Sequence, residues 1–81
     1  MTSNWTIENQ MLYKHFNFQD FTKAFGFMTQ VAFLAEKHQH HPTWKNTYGK
    51  VEIWLTTHDA GHIITEKDHA LAKDIDQILN G

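Results

Sequence analysis

Eighty-one residues, 41% of them hydrophobic and 14% aromatic, describe one small globular domain spanning 1–81 and exclude a disordered chain. All seven basic residues are lysines, the formal net charge is −2 and no basic run is present, which excludes a surface built to grip phosphates, so no direct nucleic-acid partner is expected. Cysteine is absent, which removes disulfides, thiolate catalysis and cysteine–zinc sites together.

No apolar run approaches the roughly 18 residues of a membrane-spanning helix, and Met1-Thr2-Ser3-Asn4-Trp5 lacks the charged-then-apolar pattern of a signal peptide. The expectation is a cytoplasmic protein without membrane contact. A chain this short buries only about 60% of the surface its unfolded form exposes, so self-association is an expected supplement.

Trp5 and Ile7 alternate with Thr6 and Glu8, as in a short edge strand, and Glu8-Asn9-Gln10 reads as a polar turn. Met11 to Phe18, with Tyr13, Phe16 and Phe18, fits a second strand. Asp20 is an N-cap for a helix whose apolar stripe runs Phe21, Ala24, Phe25, Met28, Val31, Ala32, Ala35. Phe27, Phe33 and Leu34 lie beyond that stripe, so this helix is expected to pack on its own sheet and on another subunit. Gly26 within it predicts a close backbone approach. Pro42 fixes its own φ and pushes His41 out of helical geometry, so the helix ends just before it.

Thr43 to Tyr48 reads as a strand and Gly49 as a turn. Lys50 to His58 alternates, with Val51, Ile53, Leu55 and Thr57 on one face and Glu52, Trp54, Thr56 and His58 on the other. Trp54 on the second face predicts that part of it is covered, by a partner chain for instance. Asp59-Ala60-Gly61-His62 is a loop. Thr65 to Asp68 has the form of a capping box, and Leu71, Ala72, Ile75, Ile78 and Leu79 form the buried stripe of a last helix. The order strand, strand, helix, strand, strand, helix implies an α+β fold, a four-stranded antiparallel sheet with two helices packed on one face.

The chemistry concentrates in Glu36-Lys37-His38-Gln39-His40-His41-Pro42-Thr43-Trp44, where three of seven histidines stand beside a carboxylate and the only proline. Imidazole titrates nearest neutrality, which suits proton transfer or metal binding. The cluster is expected on a rigid bend, with Trp44 as a flat apolar wall. His40 and His41 are adjacent and point apart on an extended backbone; the bend at Pro42 can bring both to one cavity, or leave two surface histidines. His58, next to Asp59, sits at a strand end. His15, His38, His62 and His69 show no partner in the sequence. Asp68 is explained by its cap, and in a first helical turn it is stabilised as an anion. Glu36 lies in a last turn, where a histidine or ring contact would account for it. His38, His40, His41, Glu36 and His58 also offer zinc ligands, but no recognised ligand spacing is present.

These residues bring a resemblance into view. Ala24-Phe25-Gly26-Phe27-Met28-Thr29, Ala35-Glu36-Lys37, His40-His41-Pro42-Thr43-Trp44, Tyr48-Gly49-Lys50-Val51, Thr57-His58 and Glu66-Lys67-Asp68 resemble, in order, the pterin-4a-carbinolamine dehydratases, also called dimerisation cofactors of a homeodomain transcription factor. The resemblance implies a lyase that removes water from a 4a-hydroxytetrahydropterin to give quinonoid dihydropterin, without metal or bound cofactor. That reaction recycles the pterin of aromatic amino acid hydroxylases. It implies a homodimer or homotetramer, His40, His41 and His58 as catalytic residues, and Glu36, Pro42, Trp44, Thr57, Asp59, Ala60 and Asp68 around the substrate. Two departures stand out: the first helix of animal members has no counterpart before Trp5, and the stretch from His58 to Asp68 is one residue longer, with His62-Ile63-Ile64 before the cap. The alternatives are a non-enzymatic oligomerisation or transcription-cofactor module, and a dehydratase for another pterin, such as one of molybdenum-cofactor metabolism.

Overall fold

A computed structural model of the chain describes residues 4–80, so the reading of Met1-Thr2-Ser3 falls outside the described residues. Strand β1 (Thr6–Glu8) turns through Asn9 and Gln10 into β2 (Met11–Asn17). Both turn residues have positive φ, 51° and 65°, the combination that lets a two-residue loop follow hairpin twist. Glu8, expected in the turn, is therefore the last strand residue and faces Met11. Helix α1 (Phe21–His38), β3 (Thr43–Thr47), β4 (Lys50–Leu55), a 3-10 turn (His58–Ala60) and α2 (Glu66–Asn80) follow.

The sheet order is β1-β2-β4-β3, with every neighbouring pair antiparallel. Strand β4 thus lies beside β2 in the middle, and α1 carries the chain across to the far edge. The α+β architecture is the expected one. Val51, Ile53 and Leu55 are fully buried and meet Leu12 and Phe16 of β2 and Ala24, Phe27, Val31, Leu71, Ala72 and Ile75 of the helices in one core. Burying each large apolar side chain of this kind contributes roughly 1.5–3 kcal/mol. The alternation stops at Leu55, short of the expected end at His58, because Thr57 instead pairs with Ile63 in an isolated bridge.

Helix α1 begins as expected, with the Asp20 carboxylate accepting from the Lys23 N–H at 2.9 Å. Its buried face is rotated from the expected one. Ala24, Val31 and Ala35 of the expected stripe are buried together with Phe27, expected beyond it, whereas Phe21 and Phe25 of that stripe are 50% and 54% exposed; Phe33, expected beyond it, is 71% exposed. Phe27 takes the inward place because Phe16 and Phe18 receive it, with ring centroids 4.8 and 4.9 Å away. Gly26 faces open space, so the expected close approach is not there. The close approach falls at Gly49, where an added Cβ would meet the Phe18 carbonyl oxygen, itself part of a segment tied down by the 2.7 Å bond from Phe18 N–H to Gly49 O. In α2 the stripe is buried from Leu71 to Ile75, but Leu79 is exposed.

Two polar arrangements shape the scaffold. Lys14 points to the helix side of the sheet, where Nζ lies 2.8 Å from Asp76 and 5.1 Å from the Phe16 ring. Asp76 also accepts from the Trp5 indole N–H at 3.0 Å, so β2, α2 and the segment before β1 meet at one carboxylate. On the other face, Trp54 donates to Glu8 at 2.8 Å and packs on Tyr13, which covers it partly within the chain itself.

Candidate active site

The end of α1 sets the position of the histidines. Gln39 adopts a left-handed conformation, φ 54°, and the His40 N–H reaches back to Ala35 O at 3.0 Å while the Gln39 N–H reaches Glu36 O at 3.2 Å. This is a Schellman closure, made with glutamine where glycine is usual. It turns the chain sharply enough to send His40 inward and His41 outward, with Pro42 fixing the exit.

His40 is buried, and its Nε2 lies 2.6 Å from Oδ1 of Asp68, which has no exposure at all. The other oxygen of Asp68 accepts from the Thr57 hydroxyl at 2.7 Å and from the Thr65 N–H at 2.8 Å. The capping box expected at Thr65 is thus present, and its carboxylate also reaches beneath the histidine. Three donors converge on Asp68, so it acts as acceptor and the His40 Nε2 as donor, which leaves Nδ1 as the ring nitrogen available to a ligand. His41 repeats the pattern in solvent: its Nε2 is 2.6 Å from Glu36 Oε2, with both side chains more than half exposed.

The second segment arrives from β4. Thr57 is held by the bond from its N–H to Ile63 O at 2.9 Å, and its carbonyl accepts from Ala60 and His62. That closure starts the 3-10 turn at His58, which brings this residue to the same cavity as the 40–41 pair. His40, His41, Pro42, Thr57, His58 and Asp59 line one cavity of about 300 Å³, joined by Gln39, Thr43 and Lys67. Imidazoles from two separate segments therefore converge.

Of the other expected residues, Glu36 and Trp44 line an adjoining depression of about 240 Å³ that shares His41 and Pro42 with the first. Asp68 lies behind His40 rather than on the cavity wall, and Ala60 is exposed in the 3-10 turn without lining the cavity. Lys67 is an addition; the only sequence signal for it is its place in the Glu66-Lys67-Asp68 block. The histidines expected to have no partner each have one; Asn17 Nδ2 lies 3.5 Å from His15 Nδ1, for instance. His38 Nε2 is 2.7 Å from Asp74, clamping α1 to α2, and His62 Nδ1 is 3.1 Å from His58 Nδ1. A larger groove of about 500 Å³ between α1 and α2 is lined by Phe33, Leu34, Lys37 and Asp74, and its aspartate is already engaged by His38. Among the described residues no group of three or more histidine, aspartate or glutamate side chains is arranged to hold a metal ion, and no helix is long and apolar enough to cross a membrane.

Comparison with known proteins agrees with this architecture. The sequence profile described as pterin 4 alpha carbinolamine dehydratase matches residues 1–78. A protein of Prochlorococcus marinus named "Putative pterin-4-alpha-carbinolamine dehydratase" is 52% identical over 77 residues, covering 95% of this chain and 80% of that protein. A Rhodospirillum rubrum protein of the same name is 49% identical over 78 residues, covering 94% and 80%. Among solved structures, one described as a transcriptional coactivator/pterin dehydratase from Brucella melitensis superposes with a TM-score of 0.89 at 38% identity, covering 95% of this chain and 83% of that one. Another, a pterin dehydratase-like protein described as a RuBisCO assembly factor in the alpha-carboxysome, gives 0.76 at 26% identity, covering 91% and 87%. The chain belongs to the pterin 4 alpha carbinolamine dehydratase family.

Proposed function

We propose that this chain is a hydro-lyase that converts 4a-hydroxytetrahydropterin to quinonoid dihydropterin by histidine acid–base chemistry. The observation that carries the reading is the meeting of His40, His41 and His58 at one cavity. In the reaction the C4a–O bond breaks. The hydroxyl leaves as water after receiving a proton, and the ring N–H gives one up as the C=N bond forms. Each transfer needs a positioned group able to hold or release a proton near neutrality, and each such group typically contributes about 10²–10⁴-fold.

His41 and His58 flank the reacting centre, and His40, braced by Asp68, orients the ring. Pro42, Thr57 and Asp59 contact the bicycle, and Trp44 and Glu36 receive what extends past His41. Replacing His41 or His58 by alanine and following dehydration of the hydroxypterin tests the assignment. A loss of at least about 10²-fold in kcat is expected, and near-normal turnover in either variant would overturn it. A binding titration with a set of reduced pterins, including those of molybdenum-cofactor metabolism, identifies the physiological ring.

A second reading draws on the exposed Phe21, Phe25 and Phe33 of α1, which suit a surface for self-association or for holding another protein. Sedimentation of the protein separates the two: self-association as a homodimer or homotetramer that survives loss of His41 and His58 favours a scaffold only if hydroxypterin turnover is absent in the unaltered chain.

A further inference from the structure

We propose that His62 is a positioning residue for His58: it accepts the His58 Nδ1–H and so presents an unprotonated Nε2 to the cavity. This deepens the dehydratase reading and rests on it. The two Nδ1 atoms lie 3.1 Å apart and the rings meet edge to face at 87°, with centroids 4.7 Å apart. A gap of that size between two ring nitrogens holds a single hydrogen, so one ring donates and the other accepts.

The backbone is arranged to make this contact. His62 sits at φ 62°, a conformation that costs a side-chain-bearing residue of order 1–3 kcal/mol and that tends to be retained at functional sites. It follows Gly61 at φ 88°, and the loop is pinned by four bonds: Ala60 N–H to Thr57 O at 3.2 Å, Gly61 N–H to His58 O at 3.0 Å, His62 N–H to Thr57 O at 3.0 Å, and Thr57 N–H to Ile63 O at 2.9 Å. The outcome is a histidine four positions beyond His58 folded back onto it.

The direction of the shared hydrogen follows from what a working imidazole must do. With the hydrogen on His58, its Nε2 can take a proton from a ligand and release it again while the Nδ1–H bond stays as it is. With the hydrogen on His62, His58 would already carry its own proton on Nε2 and could accept no other there. Only the first arrangement lets His58 pass between neutral and cationic forms without moving the shared hydrogen. It is the role that an orienting carboxylate or carbonyl plays behind a working histidine elsewhere, here taken by a second imidazole.

The experiment pairs a spectrum with kinetics. Ring ¹⁵N shifts of neutral His58 are measured in the unaltered protein and in His62→Phe, which keeps an aromatic ring but no acceptor. The expected result is an Nδ1-protonated His58 that shifts to the Nε2-protonated form in His62→Phe. A His58 protonated on Nε2 in the unaltered protein, or an unchanged tautomer in the variant, overturns the proposal. In turnover of 4a-hydroxytetrahydropterin, His62→Phe should lower kcat roughly 10-fold with KM nearly unchanged, and His62→Gln, whose amide oxygen can accept, should recover most of it; an unchanged kcat in His62→Phe also overturns the proposal. The spectrum needs no substrate, so the expected tautomers in a protein that does not dehydrate the hydroxypterin would overturn the dehydratase reading and leave the positioning contact supported.

Discussion

His40 and His41 are neighbours in the chain, and each places Nε2 2.6 Å from a carboxylate, yet the two contacts differ in kind. The His40–Asp68 pair is closed off from water, with side-chain exposures of 9% and 0%; the His41–Glu36 pair stands in solvent, with 64% and 72%. Equal distances thus carry unequal weight. Removing one partner of a buried, hydrogen-bonded pair leaves the other without compensation and costs about 3–5 kcal/mol, whereas an exposed pair contributes about 0–1 kcal/mol. The buried histidine is fixed in the fold and the exposed one is held only loosely, which is consistent with the roles proposed for His40 and His41.

The sharpest way to break that contrast is Asp68→Ala. It should lower unfolding free energy by about 3–5 kcal/mol in urea titrations, because His40, Thr57 and the Thr65 N–H all lose their acceptor at once. A loss under about 1 kcal/mol would place this pair with ordinary surface contacts. Next comes a double-mutant cycle on each pair, with His40 and Asp68, then His41 and Glu36, replaced singly and together. Coupling above about 1 kcal/mol is expected for the first and below about 0.5 kcal/mol for the second. The smallest effect concerns a third carboxylate contact, Tyr13 to Glu52 at 2.9 Å on the sheet face away from the helices. Burial first, then the hydrogen bond to Glu52 and the charges of Glu52 and Glu8, raise the Tyr13 phenol above its ordinary 10.0. The folded state therefore holds this proton more tightly than the unfolded chain. Its contribution is complete below pH 10.0 and is lost as pH rises through the higher folded value. Tyr13→Phe should flatten that alkaline decline in the urea midpoint, and at neutral pH it should remove only the small contribution of the hydrogen bond to Glu52.

Much of the frame is legible in the residues because it rests on short periods. Val51, Ile53 and Leu55 alternate, and the strand they form is buried on one face as alternation requires. The caps at Asp20 and Thr65 are equally local. The buried face of α1 is legible only in part: Ala24, Val31 and Ala35 fall in the expected stripe and Phe27 outside it. Spacings of three and four fit the stripe through Phe21, Phe25, Met28 and Ala32 as well as the one through Ala24, Phe27, Val31 and Ala35. The choice between them is made by Phe16 and Phe18, which receive Phe27 across the core.

The site divides the same way. A histidine cluster on a bend after a helix can be read from Pro42 and its neighbours, and the capping role of Asp68 from Thr65. That the same carboxylate lies under His40 depends on how α2 docks, which no local spacing records. The His38–Asp74 clamp is hidden for the same reason, since it needs the register of one helix against another. His62 is hidden by its backbone: no local spacing announces its positive φ, and Gly61 before it is the hint of an unusual turn.

The carboxylate of Asp76 joins residues that stand 71 positions apart, Trp5 before the first strand and a turn of the last helix, and it also takes the ammonium of Lys14. The fold is in this respect nearer to a ring than to a line. The indole before β1 is tied to the same helix whose first turn carries Asp68 beneath His40, so the first and last described segments are closed on one another by a side-chain bond that lies outside the ladder of the sheet.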